Sequence, residues 1–135
     1  MTLNRIEKIT LGIGGLTALG IGGMITFAPH AFYASYGITL ADDPSLLSEL
    51  RAPGAGLTAL GILMLAGIWR SALAQLAVAV TLVVFLAFPA GRFVGLAVDG
   101  MPSSGIIGAL ILEIAIAALC LFAFRKRLVS APIHP

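Results

Sequence analysis

The chain has 135 residues, 59% of them hydrophobic and only 10% charged, with a mean hydropathy of +1.07 and a formal net charge of +2. Soluble globular domains carry about 25% charged residues, so this composition excludes an ordinary water-soluble domain and points to one embedded in lipid. The few Lys and Arg residues sit mainly at the ends of apolar stretches, a pattern that sets membrane orientation and provides no stripe for nucleic acid.

The first predicted element is a membrane-spanning helix from about Ile6 to Ala28, stopped by Pro29, whose ring disfavours helical geometry in the residue before it. Arg5 and Lys8 ahead of an apolar run resemble a signal peptide. The run is long, however, and ends without a small-x-small cleavage site, so a retained span is expected. Gly14, Ala18 and Gly22 recur at intervals of four, and Gly15 and Gly23 add a second small column. That face lets another helix approach closely, either within one chain or in a homodimer or larger membrane complex.

Residues 29–48 form the longest polar connection. Tyr33 and Tyr36 suit a membrane interface, with the segment from Phe32 to Tyr36 lying along the headgroups. A second span is expected over about 49–69, with Pro53 tolerated in its first turn, where a missing amide costs no intrahelical bond. The turn at Trp69, Arg70 and Ser71 is so short that spans two and three must be antiparallel neighbours.

The third span is expected over 72–98, loosened or kinked at Pro89 and Gly91. A tight turn at Asp99, Gly100, Met101, Pro102 and Ser103 follows, and Ser103 or Ser104 is available to cap the fourth span, 103–124. Four helices of about 20 residues, each enough for a ~30 Å hydrocarbon core, account for the chain as one all-α domain over residues 1–135: an antiparallel up-down four-helix membrane bundle. Arg5, Lys8, Arg70, Arg125, Lys126 and Arg127 gather on one side, against Arg51 and Arg92 on the other. The bias places both termini in the cytoplasm and fits a bacterial cytoplasmic membrane.

Glu113 needs the most explanation, because a charge at the centre of a spanning helix costs on the order of 2.5 to 3.5 kcal/mol. It must be protonated, paired, or in a wet cavity. Glu49, Arg51, Arg92 and Asp99 belong with it to a polar cluster in the outer half of the bundle. Arg92 reaches part of the way toward Glu113, and it shares a helix face with Asp99, roughly 10 Å along the axis. Glu49 and Arg51 point to different sides of their helix, so each needs a partner elsewhere. The cluster is open to three readings: an ion network that fixes packing, a small-ligand site, or a catalytic centre.

His30 and His134 have no second ligand at metal spacing, and no metal or cofactor is expected. Cys120 is the only cysteine and reads as a small buried side chain. No nucleophile motif or phosphate loop is present in its required context.

Glu49 and Arg51, then Gly91, Arg92, Asp99, Gly100, Pro102 and Ser103, and finally Glu113 resemble the pattern of a family of small bacterial four-helix membrane proteins catalogued only as a domain of unknown function. In layout that family is distantly similar to the DoxX-like proteins. The resemblance runs from about Ile9 to Phe124 and implies the fold and the polar cluster, without an activity. The expected role is a non-enzymatic accessory subunit or a binder of a lipophilic small molecule. A proton-coupled exporter and an intramembrane acid/base enzyme acting on a lipid, isoprenoid or quinone-like substrate are the alternatives.

Overall fold

A computed structural model describes residues 2–130. Six helices follow one another: α1 Arg5–Phe27, α2 Pro29–Ala34, α3 Pro44–Trp69, α4 Ser71–Asp99, α5 Ser104–Ala123 and α6 Arg125–Val129. Four of them, α1, α3, α4 and α5, are long and apolar enough to cross a membrane.

Local chemistry explains most of the boundaries. α1 opens on a capping box in which the Asn4 side chain accepts from the Glu7 amide and the Glu7 carboxylate accepts from the Asn4 amide. Asp43 caps α3 through the Ser45 amide, with Pro44 in the first turn, where its lack of an N–H costs nothing. α3 therefore begins at Pro44, more than a turn ahead of the expected start near Glu49, and the outer connection is shorter and partly helical. Pro53 consequently lies inside the helix, where it removes the amide that would have bonded to the Glu49 carbonyl. α4 runs unbroken through Pro89 to Asp99. It stops at Gly100, whose φ of 93° belongs to a region that side-chain-bearing residues rarely enter.

Contacts follow the order of neighbours that run in opposite directions. Along the α1–α3 seam, Gly15 meets Leu65 and Gly61, whereas Gly22, further along α1, meets Thr58 and Gly54, earlier in α3. A Cβ at Gly22 would lie 2.5 Å from the Thr58 nitrogen, and one at Gly61 would lie 2.6 Å from the Leu19 nitrogen, so glycine permits this approach. Gly14 faces Thr81 and Phe85 of α4, and Gly14, Ala18 and Gly22 are all buried within the single chain. Of the two uses expected for this face, the structure has packing within one chain, and the column is not left open for a homodimer or complex partner. Only Arg70 separates α3 from α4, as the short turn requires.

The core contains Leu11, Met64, Ala77, Phe85, Ile116, Cys120 and Phe124. Thr10 and Thr81 are buried with it, yet each hydroxyl donates to a carbonyl one turn back in its own helix, at 2.7 Å, and so places no polar demand on neighbours. The exterior is apolar: Leu16, Val83, Val94 and Ile111 are all exposed. A bundle with greasy side chains both inside and outside is a membrane protein.

Candidate functional site around Arg92 and Glu113

Arg92 and Glu113 form a bidentate pair between α4 and α5. Arg92 Nε donates to Glu113 Oε2 at 2.8 Å, and Nη2 donates to Oε1 at 2.9 Å. This fork geometry satisfies both carboxylate oxygens at once and answers the cost of placing Glu113 within an apolar helix. The Glu113 side chain is 9% exposed and that of Arg92 26%, so the arginine side is the accessible one.

Two cavities meet at Arg92. The inner one, about 320 Å³, lies between α1, α3, α4 and α5, with Ala18, Ile21, Leu57, Val84 and Phe85 in its apolar walls and Glu113 and Arg92 in its polar wall. The second, about 710 Å³, is an open depression along α4 and α5, lined by Gly91, Gly95, Asp99, Met101 and Ile107. Phe88, Arg92 and Ile106 border both.

Aromatic residues from α2 and the turn after it complete the inner cavity. The Phe32 ring stands edge-on to Tyr33 and Tyr36, with centroids 5.2 Å and 5.0 Å away. This lid is tied to α5: Ser103 Oγ donates to the Tyr36 carbonyl at 2.6 Å, so Ser103 stands at the N-cap position but spends its hydroxyl on the lid rather than on its own helix. His30 and Asp42, 2.9 Å apart, hold the start of α2 to the next connection. Burial pushes the Tyr33 and Tyr36 phenols above the usual value of 10.0; for Tyr36, Arg92 opposes the shift and Glu113 adds to it. Both tyrosines are therefore neutral hydrogen-bond donors near neutral pH.

Of the five residues expected to cluster, the structure brings together Arg92 and Glu113. Arg51 instead donates from Nη1 to the Thr26 carbonyl at the end of α1, at 2.5 Å. That carbonyl lies in the last turn of its helix and has no amide ahead to accept from, so Arg51 anchors α3 to α1. Glu49 is exposed and joins no ion pair among the described residues. Asp99 is exposed on the rim of the open depression, and Arg92 turns toward Glu113 instead of toward it. Among the described residues, no three His, Cys, Asp or Glu side chains converge as metal ligands would.

The sequence reading assigned Tyr33 and Tyr36 to a membrane interface and missed them as cavity lining. Their spacing of one helical turn, beside Phe32, was the available signal. It also missed a second pair, Arg127 with Glu7.

Fold and cavity define a small multi-pass membrane protein with a partly open apolar cavity and one ion pair in its wall. The chain belongs to the family described as Domain of unknown function (DUF4345), whose model matches residues 6–124. No curated protein and no solved structure matches it.

Proposed function

We propose that this protein is a non-enzymatic binder of a lipophilic small molecule in the bacterial cytoplasmic membrane, with both termini in the cytoplasm and the chamber in the outer half of the bilayer. One observation carries the reading. An apolar cavity of about 320 Å³ lies beside the Arg92–Glu113 pair and beneath an aromatic lid, within the ~300–1,000 Å³ range of small-molecule sites, which combine greasy walls with a few convergent polar groups. The basic residues at the end opposite the lid, Arg5, Lys8, Arg70, Arg125, Lys126 and Arg127, support the orientation.

The acid/base and exporter alternatives find less support. Both Glu113 oxygens accept from Arg92, and no second carboxylate lines the inner cavity.

Native mass spectrometry of gently extracted protein tests the reading, comparing wild type with Ala18→Leu and Ile21→Phe, which place bulk in the chamber. A lipophile retained by wild type and lost from both variants, with unchanged thermal unfolding, is the expected result. Equal retention in all three contradicts it. Stable partner subunits with no ligand in any form would make the chain an accessory subunit instead.

A further inference from the structure

Resting on that reading, we infer that the chamber selects an uncharged lipophile whose head group is a hydrogen-bond acceptor, such as a ketone, and discriminates against fatty acids and lipophilic amines. The argument is one of charge and donor count. Arg92 and Glu113 face each other through two short hydrogen bonds, so the polar wall is a closed pair with no net charge. The other chamber residues include no second ionisable acid or base apart from the two phenols. An ionised ligand head would add a third charge to a low-dielectric space, paying desolvation without gaining an opposite charge that is free to receive it.

Donors, by contrast, remain. A guanidinium carries five N–H groups in a fixed fork, and the pair with Glu113 engages only Nε and Nη2, leaving the Nη1 amino group. Among the described residues no buried side-chain nitrogen or oxygen lacks a partner, so Nη1 is not sealed inside protein, and Arg92 lines both cavities. Tyr33 and Tyr36, in the same lining, carry hydroxyls that are donors of no charge. With the carboxylate oxygens already engaged by Arg92, the wall offers protons more readily than it accepts them. A carbonyl oxygen meets that supply, and an alkyl chain meets Ile21, Leu57 and Phe85.

The test uses three probes of one chain length: methyl octyl ketone, decanoic acid and decylamine, competing for the full-length protein in lipid nanodiscs at mildly alkaline pH, with occupancy read by native mass spectrometry. Wild type is expected to hold the ketone over the acid and the amine by about tenfold or more, a difference of 1.4 kcal/mol. Glu113→Gln leaves the Arg92 charge without its counter-ion and should reverse the order, so that the acid binds best. Arg92→Gln together with Glu113→Gln removes both charges and should keep the ketone ahead. Those two variants separate charge from shape, and circular dichroism identifies any that has not folded. Wild type preferring the acid or the amine, or holding all three equally, overturns the inference while leaving the binding site in place. Binding of none of the three, by wild type that carries no lipophile of its own, overturns the site itself and this inference with it.

Discussion

The bundle carries two bidentate Arg–Glu pairs, one where the chain's first and last helices meet and one within the span, and the two differ in what surrounds them. At the end that holds the termini, Arg127 of α6 grips Glu7 of α1 through Nε and Nη2, and its Nη2 also donates to the Thr2 carbonyl at 2.8 Å. Glu7 accepts in addition from the Asn4 amide at 3.0 Å and closes the capping box. The depression beside this pair is lined by Thr2, Asn4, Arg125, Lys126 and Ser130 together with Ile6, Phe122 and Ala123, a mixed and basic edge. The pair fastens α1 to α6, and the Glu7 hydrogen bond holds the Arg127 guanidinium still further above its ordinary range. Within the span, Arg92 and Glu113 have each other and an apolar cavity alongside. The same two side chains thus make a clasp where both take further backbone partners, and a polar wall where an apolar cavity lies beside them.

Breaking the outer pair on one side should have the largest effect. Glu113→Leu leaves the Arg92 charge uncompensated inside the bundle and should cost about 3–5 kcal/mol, seen as a lower thermal midpoint in detergent. A loss no greater than that of an ordinary exposed leucine substitution would show that the pair is dispensable. Replacing both partners, Arg92→Met with Glu113→Leu, should restore most of that stability, because a buried pair is often no better than a well-packed apolar one. The double variant should nevertheless fail to retain ligand. If it binds as wild type does, the outer pair is a second clasp and the contrast between the two pairs disappears.

A smaller effect is expected at the inner end. Asn4→Ala removes the side-chain oxygen that accepts from the Glu7 amide, while the backbone amide that donates to the Glu7 carboxylate stays, and should lower stability by about 1 kcal/mol with ligand retention unchanged. The smallest effect concerns the lid, which contains both of the chain's tyrosines. Their phenol values are raised by burial, so above pH 10.0 the unfolded chain gives up these protons first and holds fewer than the folded one. Stability is therefore unaffected below that pH and declines as pH rises beyond it. Tyrosinate absorbance should appear later on titration of the folded protein than of the denatured one; coincident curves would mean an open lid.

Much of the architecture is legible in the sequence because lipid leaves so few solutions. Unbroken apolar runs ended by Pro29, Arg70 and Gly100 have to be helices, and the single residue between α3 and α4 has to make them antiparallel. Glu113 is legible in part: a carboxylate among Leu112, Ile114 and their neighbours has to be protonated, paired or in a wet cavity, and the sequence alone does not choose, although Arg92 reaches part of the way toward it. What the sequence conceals depends on competition between partners. Arg51 needed a partner on another helix, with Asp99 and Glu113 in the expected cluster, and only the three-dimensional course of α1 brings the Thr26 carbonyl to it. Gly14, Ala18 and Gly22 look alike whether they pack inside one chain or between two, since a small-residue column records close approach and not the identity of the approaching helix. The lid was hidden for a third reason: aromatic residues before a span suit a headgroup layer as well as a cavity, and their tether, Ser103 to the Tyr36 carbonyl, joins residues far apart in sequence.

The chamber itself is tested most directly by photolabelling. A methyl ketone bearing a diazirine in its alkyl chain, activated in nanodiscs and mapped by peptide mass spectrometry, should label the chamber lining: Ile21, Leu57, Phe85 and the lid residues Phe32 to Ile38. Excess methyl octyl ketone should suppress that labelling. Labels spread over the lipid-facing side chains Leu16, Val83, Val94 and Ile111, and indifferent to competitor, would contradict a binding chamber beside Arg92 and Glu113.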